Sequence, residues 1–445
     1  MIDKILKPSN NLAYICDDES ITYKKLYEKV DEYGTLLQKQ GNTAVIIYGK
    51  KSVDYLIMIL SCIKAKRCYI PLNDTIPIYR IKEIINLSKA TTILTNEKLD
   101  ISNINILNLE SLKLYNKNKK VPNKNKICYI IFTSGSTGSP KGVPISYDNL
   151  MNFINWINKL IPQKNIKKVY NSSLFSFDLS VTDLYYSLSN NLTLESNVKK
   201  DIFDSLKDIN LMVVTPSHLK LCLTNPDFNE LNYPKLKYIY SCGERLDVNI
   251  AKEIYNRFKQ VKLINAYGPT EATSAVCGIL ITNEMLNNKY LPVGDISNVA
   301  TKLEIIDGEI VLSGKSVLKN YLNDSKPILK YYTNDLGYIE NNLIYCLGRK
   351  DSQVKFMGYR IELGDIENNF LKIPGISEAV VVPVYYKDNI KMFKAFIVSD
   401  IENIDYIKNE LAKYIPKYMI PKKIEILKQM PLTNNLKIDR SRLKW

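Results

Sequence analysis

The stretch from Tyr129 to Gly142 reads Tyr-Ile-Ile-Phe-Thr-Ser-Gly-Ser-Thr-Gly-Ser-Pro-Lys-Gly. Cys128 to Phe132 is a short apolar run that predicts a buried strand, and it stops abruptly in Ser, Thr and Gly closed by Lys141. Such a loop suits a polyanion. Gly135, Gly138 and Gly142 have no Cβ to hold the backbone away, so successive amide N–H groups converge on a phosphate while hydroxyls and one ammonium complete the shell. Beyond it, Ser146 is placed to cap a helix whose Leu150, Phe153, Ile154 and Ile157 share one apolar face. The expected order is therefore strand, cradle, helix. Lys141 is followed by Gly142 and Val143, which departs from the Walker pattern of Gly-Lys-Ser/Thr opening a helix. A flexible Ser/Gly linker is the plainer alternative, but it has no reason to sit between a buried strand and an amphipathic helix.

Thr133 to Gly142 resembles the signature loop of the adenylate-forming superfamily, which includes acyl-CoA synthetases, luciferases and amino-acid adenylation domains. The resemblance implies that Thr133, Ser134, Gly135, Ser136, Thr137, Gly138 and Lys141 hold the phosphates of ATP. Further stretches resemble the family in its own order, from Ile21-Thr22-Tyr23-Lys24 to the segment ending at Arg440.

With 445 residues, the chain exceeds what one core usually holds, so two or more domains are expected. Helical and strand-like pieces alternate over residues 1 to 125, which implies a mostly parallel sheet covered by helices. Together with the resemblance, this gives an α/β fold class. A large N-terminal adenylation domain of helix-covered mixed sheets, residues 1–350, precedes a small, mobile α+β C-terminal domain, residues 351–445. The net charge of +15 reflects 61 basic against 46 acidic residues. The lysines are scattered, which argues for a compositional bias rather than a nucleic-acid surface and leaves a modest basic face for an acidic carrier protein open. Eight cysteines without a Cys-x-x-Cys pair, beside a single histidine, argue against zinc and for reduced thiols in a cytoplasmic protein. No signal-peptide pattern or membrane-length apolar run occurs, so no membrane insertion is expected. His218 follows Thr215-Pro216-Ser217, a capped helix start, and is read as structural.

Phe175-Ser-Phe-Asp-Leu-Ser-Val-Thr-Asp183 resembles the segment where amino-acid-activating members place a Phe-Asp pair. By that resemblance Asp178 binds the substrate α-ammonium, with Leu179 beside it. A carboxylate among apolar neighbours is costly to bury unless it meets a cation. A helix N-cap is the alternative role for Asp178. Ser241-Cys242-Gly243-Glu244 stands where relatives carry Gly-Gly-Glu, so Cys242 adds volume at the expected substrate site. This feature is similar to the D-alanine:carrier-protein ligases, and plain packing of the thiol is its rival reading. Asn265-Ala-Tyr-Gly-Pro-Thr-Glu271 resembles the nucleotide motif. The resemblance puts Asn265 in the ATP site, stacks Tyr267 on adenine, puts Thr270 on the α-phosphate and gives magnesium to Glu271. Thr182, Ala266, Ser274 and Ala275 would line the amino-acid site by analogy. They are small, and two are polar, which keeps serine and glycine open as substrates.

Thr333-Asn-Asp335 takes the place of the family's Thr-Gly-Asp, and Asn tolerates positive φ well. Asp335 and Arg349 would therefore grip the ribose. Asp351 matches the hinge, Gly358 borders the thiol channel, and Lys437 matches the catalytic lysine, although Asn-Leu-Lys replaces the family's Asn-Gly-Lys. The expected activity is ATP- and Mg²⁺-dependent adenylation of a small amino acid, D-alanine favoured. Transfer to the phosphopantetheine thiol of an acidic carrier protein in trans would follow, because no carrier domain follows the lysine motif. A monomer is expected. Two alternatives stand beside it: a peptide-synthetase-type enzyme for another small amino acid, and a non-catalytic adenylate-binding or carrier-docking protein.

Overall fold

The computed structural model describes residues 2–114, 125–135, 138–351, 353–386, 389–431 and 438–443. Ser136, Thr137 and Lys437 lie outside the described residues. The chain divides into two compact units: residues 1–74, 89–131 and 142–350, and residues 75–88, 132–141 and 351–445. The smaller unit thus includes two segments, 75–88 and 132–141, that lie within the 1–350 range expected of the large domain.

The larger unit is built on mixed sheets with helices against them. Its eight-stranded sheet runs in the order Cys277–Leu280, Lys262–Tyr267, Tyr238–Ser241, Leu211–Val214, Lys168–Asn171, Thr193–Ser196, Leu12–Cys16, Glu19–Thr22. The interior pairs are parallel and the two edge pairs antiparallel. A second sheet pairs Val45–Gly49 in parallel with Tyr69–Asn73 and Thr92–Thr95, and Tyr69–Asn73 with Ile127–Thr133. These strands are apolar on both faces, as parallel strands covered on both sides must be. A five-stranded antiparallel sheet includes Tyr331–Glu340 and Leu343–Arg349, joined through Asn341 and Asn342 at φ 51° and 65°.

One expectation needs correcting. The phosphate loop is followed by a further strand, Lys141–Ser146, before the helix Tyr147–Leu160 begins. Val143 and Ile145 are fully buried with Pro144 between them, so the segment is spent on packing rather than on a direct loop-to-helix turn. Ser146 caps the helix as expected, in a reciprocal capping box with Asn149.

The helix Leu179–Ser189 is buried from Leu179 through Leu188, which makes it an internal element rather than a surface one. It belongs to the same apolar core as Tyr240, Cys242 and Ala266, whereas Ile239 and Leu263 face a second core on the other side of the sheet. Alternation along Tyr238–Ser241 therefore points Tyr240 toward the helix side and Ile239 away from it.

In the smaller unit, the hairpin Gln353–Phe356 and Tyr359–Glu362 leads into the helix Leu363–Phe370. Ile376–Tyr386 pairs antiparallel with Asn389–Ser399, which pairs in parallel with Lys423–Leu427. Ile407 and Leu411 of the helix Ile404–Leu411 join their core. Among the described residues, no helix is long and apolar enough to cross a membrane.

Candidate active site

In sheets of parallel strands, ligands gather beyond the carboxyl ends of the strands. The segments that follow Lys168–Asn171, Tyr238–Ser241 and Lys262–Tyr267 carry Asp178, Leu179 and Thr182, then Cys242, then Thr270, Glu271, Ser274 and Ala275. Asp178 stands at the N-cap of the buried helix, but its side chain makes no capping bond. Its Oδ2 instead accepts from Thr270 Oγ1 at 2.6 Å. One turn along, the Thr182 and Ser274 hydroxyls are hydrogen-bonded to each other at 3.1 Å, both buried. Leu179, Cys242, Ala266 and Ala275 are buried in the same core cluster.

The turn after Tyr267 is forced into shape by close contacts. A Cβ on Gly268 would fall 2.4 Å from Ala275 Cα, so no other residue fits. Thr273 and Ser274 both take left-handed backbone, at φ 64° and 71°. For a β-branched threonine this is a strained state that only surrounding structure can hold. The support is visible: Thr273 Oγ1 donates to the Ser316 carbonyl at 2.8 Å, and the Val276 N–H donates to the Tyr267 carbonyl at 2.8 Å.

Glu271 is buried, and its Oε1 accepts from the Tyr321 hydroxyl at 3.0 Å. Burial first, and then the Glu271 charge, push the Tyr321 hydroxyl far above its ordinary pKa, so it stays a donor. Among the described residues, no group of three or more His, Cys, Asp or Glu is clustered to hold a metal. A single carboxylate is the usual protein share of a magnesium ion that is otherwise held by nucleotide phosphates and water, and Glu271 fits that share.

Tyr267 is buried and donates to Asp335 Oδ2 at 2.7 Å. Arg349 Nη1 lies 3.3 Å from Asp335 Oδ1 and donates to the Thr333 carbonyl at 2.9 Å. Asn334 has φ 59°, and its N–H is taken by Glu309 Oε1 at 2.7 Å. Tyr267, Asp335 and Arg349 are therefore brought together. The Asn265 amide donates to the Pro292 carbonyl at 2.8 Å.

Within the smaller unit, the loop that follows Phe132 is tied down by hydrogen bonds. Ser134 Oγ donates to the Arg360 carbonyl and accepts from the Glu362 N–H, both at 2.9 Å. Gly138 has φ +81°, and its carbonyl accepts from Arg80 Nη1 at 3.3 Å. Arg80 Nη2 also meets both oxygens of buried Asp365, at 2.9 and 3.0 Å. A Cβ on Gly135 would sit 2.2 Å from the Ser139 carbonyl oxygen. Thr133 Oγ1 lies 3.5 Å from the Lys141 carbonyl, and Lys141 itself is exposed. Asp351 accepts from the Gln353 N–H at 3.2 Å, and Gly358 sits at φ +81° in the following hairpin turn.

Several residues escaped sequence reading. Tyr240 is fully buried on the helix-facing side of its strand, and its hydroxyl lies beside Thr182 and Cys242 but makes no well-formed hydrogen bond among the described residues. The alternation of Tyr238-Ile-Tyr-Ser241 signals which face it takes, but not which groups its hydroxyl meets there. Tyr321, Arg80 and Asp365 carry no local signal, because each matters through a distant partner.

Comparison with known proteins follows the same lines. The "AMP-binding enzyme" family matches residues 4–322, and the "AMP-binding enzyme C-terminal domain" matches residues 365–437. A D-alanine–D-alanyl carrier protein ligase of Bacillus licheniformis is 36% identical, over 98% of this chain and 96% of its own length. The ligase of the same name from Listeria monocytogenes is 36% identical, over 95% of this chain and 93% of its own. Among solved structures, the adenylation domain AlmE of Vibrio cholerae, in complex with glycyl-adenosine-5'-phosphate, has a TM-score of 0.83 at 23% identity, covering 99% of this chain and 96% of that one. An o-succinylbenzoate CoA synthetase of Bacillus subtilis gives 0.85 at 18% identity, covering 100% and 97%.

Proposed function

The chain belongs to the AMP-binding enzyme family, and on that premise we propose that it activates D-alanine with ATP and passes the alanyl group to the phosphopantetheine thiol of a separate carrier protein. In the first step a carboxylate oxygen of the amino acid bonds to the α-phosphorus as the bond to pyrophosphate breaks, giving alanyl adenylate. In the second the thiol sulfur attacks the acyl carbon, AMP leaves with the electron pair of the broken C–O bond, and a thioester remains. The first step brings an anionic carboxylate onto an anionic phosphate, and in the second the thiol's proton is released to solvent as AMP departs, so positioning and charge neutralisation are what the protein must supply.

The observation that carries this reading is the carboxylate of Asp178. It stands at a helix start without capping the helix, hydrogen-bonded to a residue of the nucleotide motif. A carboxylate so placed suits an α-ammonium, which fatty and aryl acids lack. Small Ala266 and Ala275, buried Cys242 and the hydrogen-bonded Thr182–Ser274 pair would line the space beside it, which would suit a methyl side chain. Asp335 and Arg349 would hold the ribose, Tyr267 the adenine and Thr270 the α-phosphate. Glu271 would hold a magnesium ion, which screens the phosphates. The loop from Thr133 to Lys141 would hold the departing pyrophosphate. Lys437 is assigned by its motif to the reacting oxygens, Asp351 to the hinge and Gly358 to the thiol's approach. The net charge of +15 suits an acidic carrier. A cytoplasmic monomer acting in trans completes the reading.

The test is amino-acid-dependent exchange of labelled pyrophosphate into ATP, with D-alanine, L-alanine, glycine and both serines compared. Clear preference for D-alanine is expected. Preference for another amino acid would assign the enzyme to peptide synthesis, and silence across a broad acid panel would overturn the catalytic reading.

A further inference from the structure

The helix that follows Asp178 carries a second carboxylate, Asp183, four residues on from Leu179 and fully buried. The strand before it, Lys168–Asn171, ends in Asn171, which is fully buried as well. Asn171 Nδ2 donates to Asp183 Oδ2 at 2.9 Å and to the Ser173 carbonyl at 3.0 Å, and Asn171 Oδ1 accepts from the Ser196 hydroxyl at 2.7 Å. Both N–H donors of the amide are used, so its plane is fixed. Lys51, just beyond Val45–Gly49 of the second sheet, reaches the same place. Its Nζ donates to the Asn171 carbonyl at 3.2 Å and the Ser172 carbonyl at 3.3 Å. The carbonyls of residues 171, 172 and 173 are thus all held, two by the ammonium and one by the amide.

A buried ammonium and a buried carboxylate are costly to take out of water, and apolar side chains of similar volume often serve stability as well or better. Burial holds the Lys51 ammonium below its ordinary pKa and the Asp183 carboxyl well above its own, and each charge offsets part of the shift in the other. What the pair encloses is the segment that ends in Asp178. Residues 172–177 join Asn171 to Asp178, and Asp183 lies just beyond on the helix, next to the Thr182 that faces Ser274. Asp178 therefore stands between two clasped positions.

We propose that Lys51 and Asp183, joined through Asn171, are positioning residues for the amino acid: they tie the start of segment 172–177 to the helix it leads into and so set where Asp178 and Thr182 stand. The inference rests on the reading of the substrate as an amino acid. Tyr267, Asp335 and Arg349, assigned to the nucleotide, are held by a different set of bonds. Loosening the clasp is therefore felt by the amino acid and much less by ATP.

The experiment is pyrophosphate exchange with D-alanine and ATP varied in turn. The proteins are wild type, Lys51→Met, Asp183→Ala, the near-isosteric Asp183→Asn and the double variant Lys51→Met with Asp183→Asn. Phe258→Leu, in the core on the other face of the sheet, serves as a control destabilised elsewhere, and urea unfolding ranks the stability of all six. KM for D-alanine is expected to rise roughly tenfold in Lys51→Met and Asp183→Ala, with KM for ATP within about twofold of wild type. Asp183→Asn keeps an acceptor for the Asn171 amide and should rise only roughly threefold, which also carries the test if the harsher variants do not fold. The double variant should be no worse than Lys51→Met alone, because residues that act as one unit are not additive. An unchanged KM for D-alanine in Asp183→Asn, equal rises in both KM values, or the same rise in Phe258→Leu would overturn the positioning role alone. A wild type without amino-acid-dependent exchange would overturn the amino-acid reading and this inference with it.

Discussion

The Tyr267 hydroxyl donates to Asp335 at 2.7 Å, while Arg349 holds the other oxygen of the same carboxylate at 3.3 Å. The aspartate proposed for the ribose is thus fixed from two sides. Tyr267→Phe keeps the ring but removes one donor from a buried carboxylate, at a cost of ~1–3 kcal/mol. We expect KM for ATP to rise several-fold, KM for the amino acid to change little and Tm to fall. Burial, and next the Asp335 charge, hold the Tyr267 hydroxyl well above its ordinary pKa. It therefore remains a donor at alkaline pH, and an ATP titration at pH 9 should give the wild-type protein the same advantage over Tyr267→Phe as at pH 7.

Arg80 and Asp365 are both nearly inaccessible, with side-chain exposures of 7% and 1%. Breaking such a pair from one side strands a buried charge, and Arg80→Leu should cost ~3–5 kcal/mol of stability. Replacing both, as Arg80→Met with Asp365→Leu, should recover most of the loss. Urea unfolding of the two variants measures this, and equal losses in both would refute the account.

His218 gives a pH dependence of known sign. Burial, and more weakly the Lys51 charge, lower its pKa to about 4 from 6.5, and among the described residues its Nε2 has no hydrogen-bond partner. The folded state therefore binds this proton less well than the unfolded chain. The stability it contributes is present above the unfolded value and is lost as pH falls through the window from about 6.5 to 4. The loss should reach ~2–3 kcal/mol, and His218→Phe should unfold with a flatter profile across the same window.

Tyr240 carries a fully buried hydroxyl that makes no well-formed hydrogen bond among the described residues, with Thr182 and Cys242 beside it. Removing an unsatisfied polar atom while keeping the ring should be neutral or stabilising by up to ~1 kcal/mol, so Tyr240→Phe should raise Tm slightly. A clear fall would show that the hydroxyl is satisfied in solution.

Cys242 adds side-chain volume beside Ala266 in the core shared with the buried helix. Cys242→Gly should widen the acids accepted in pyrophosphate exchange, with 2-aminobutyrate and serine gaining on alanine. An unaltered ranking would return the thiol to plain packing.

What the chain disclosed on reading follows from how far each interaction reaches. Tyr267, Thr270 and Glu271 lie within five consecutive residues, and a motif that short is visible as text. The cap at Ser146 was legible for the same reason, since it is local chemistry, although its reciprocal bond with Asn149 was not foreseen. The strand Lys141–Ser146 was not foreseen, because Val143 and Ile145 make a run too short for its period to tell strand from loop. Asp178 was legible as a carboxylate but not as a partner of Thr270, and Arg80 gives no hint of Asp365, 285 positions on. Periodicity shows which face a side chain takes, whereas pairing across such separations depends on the assembled fold.

The two left-handed residues at Thr273 and Ser274 also limit how this enzyme can change over evolutionary time. Position 274 faces Thr182, yet its backbone accepts glycine, asparagine or aspartate far more readily than a branched apolar side chain. Single-step drift toward a bulky substrate is therefore steered away from the turn and onto the strand side, at Cys242 and Ala266. Lineages descended from this chain would record their changes of diet there, with the turn staying nearly constant as the inherited frame.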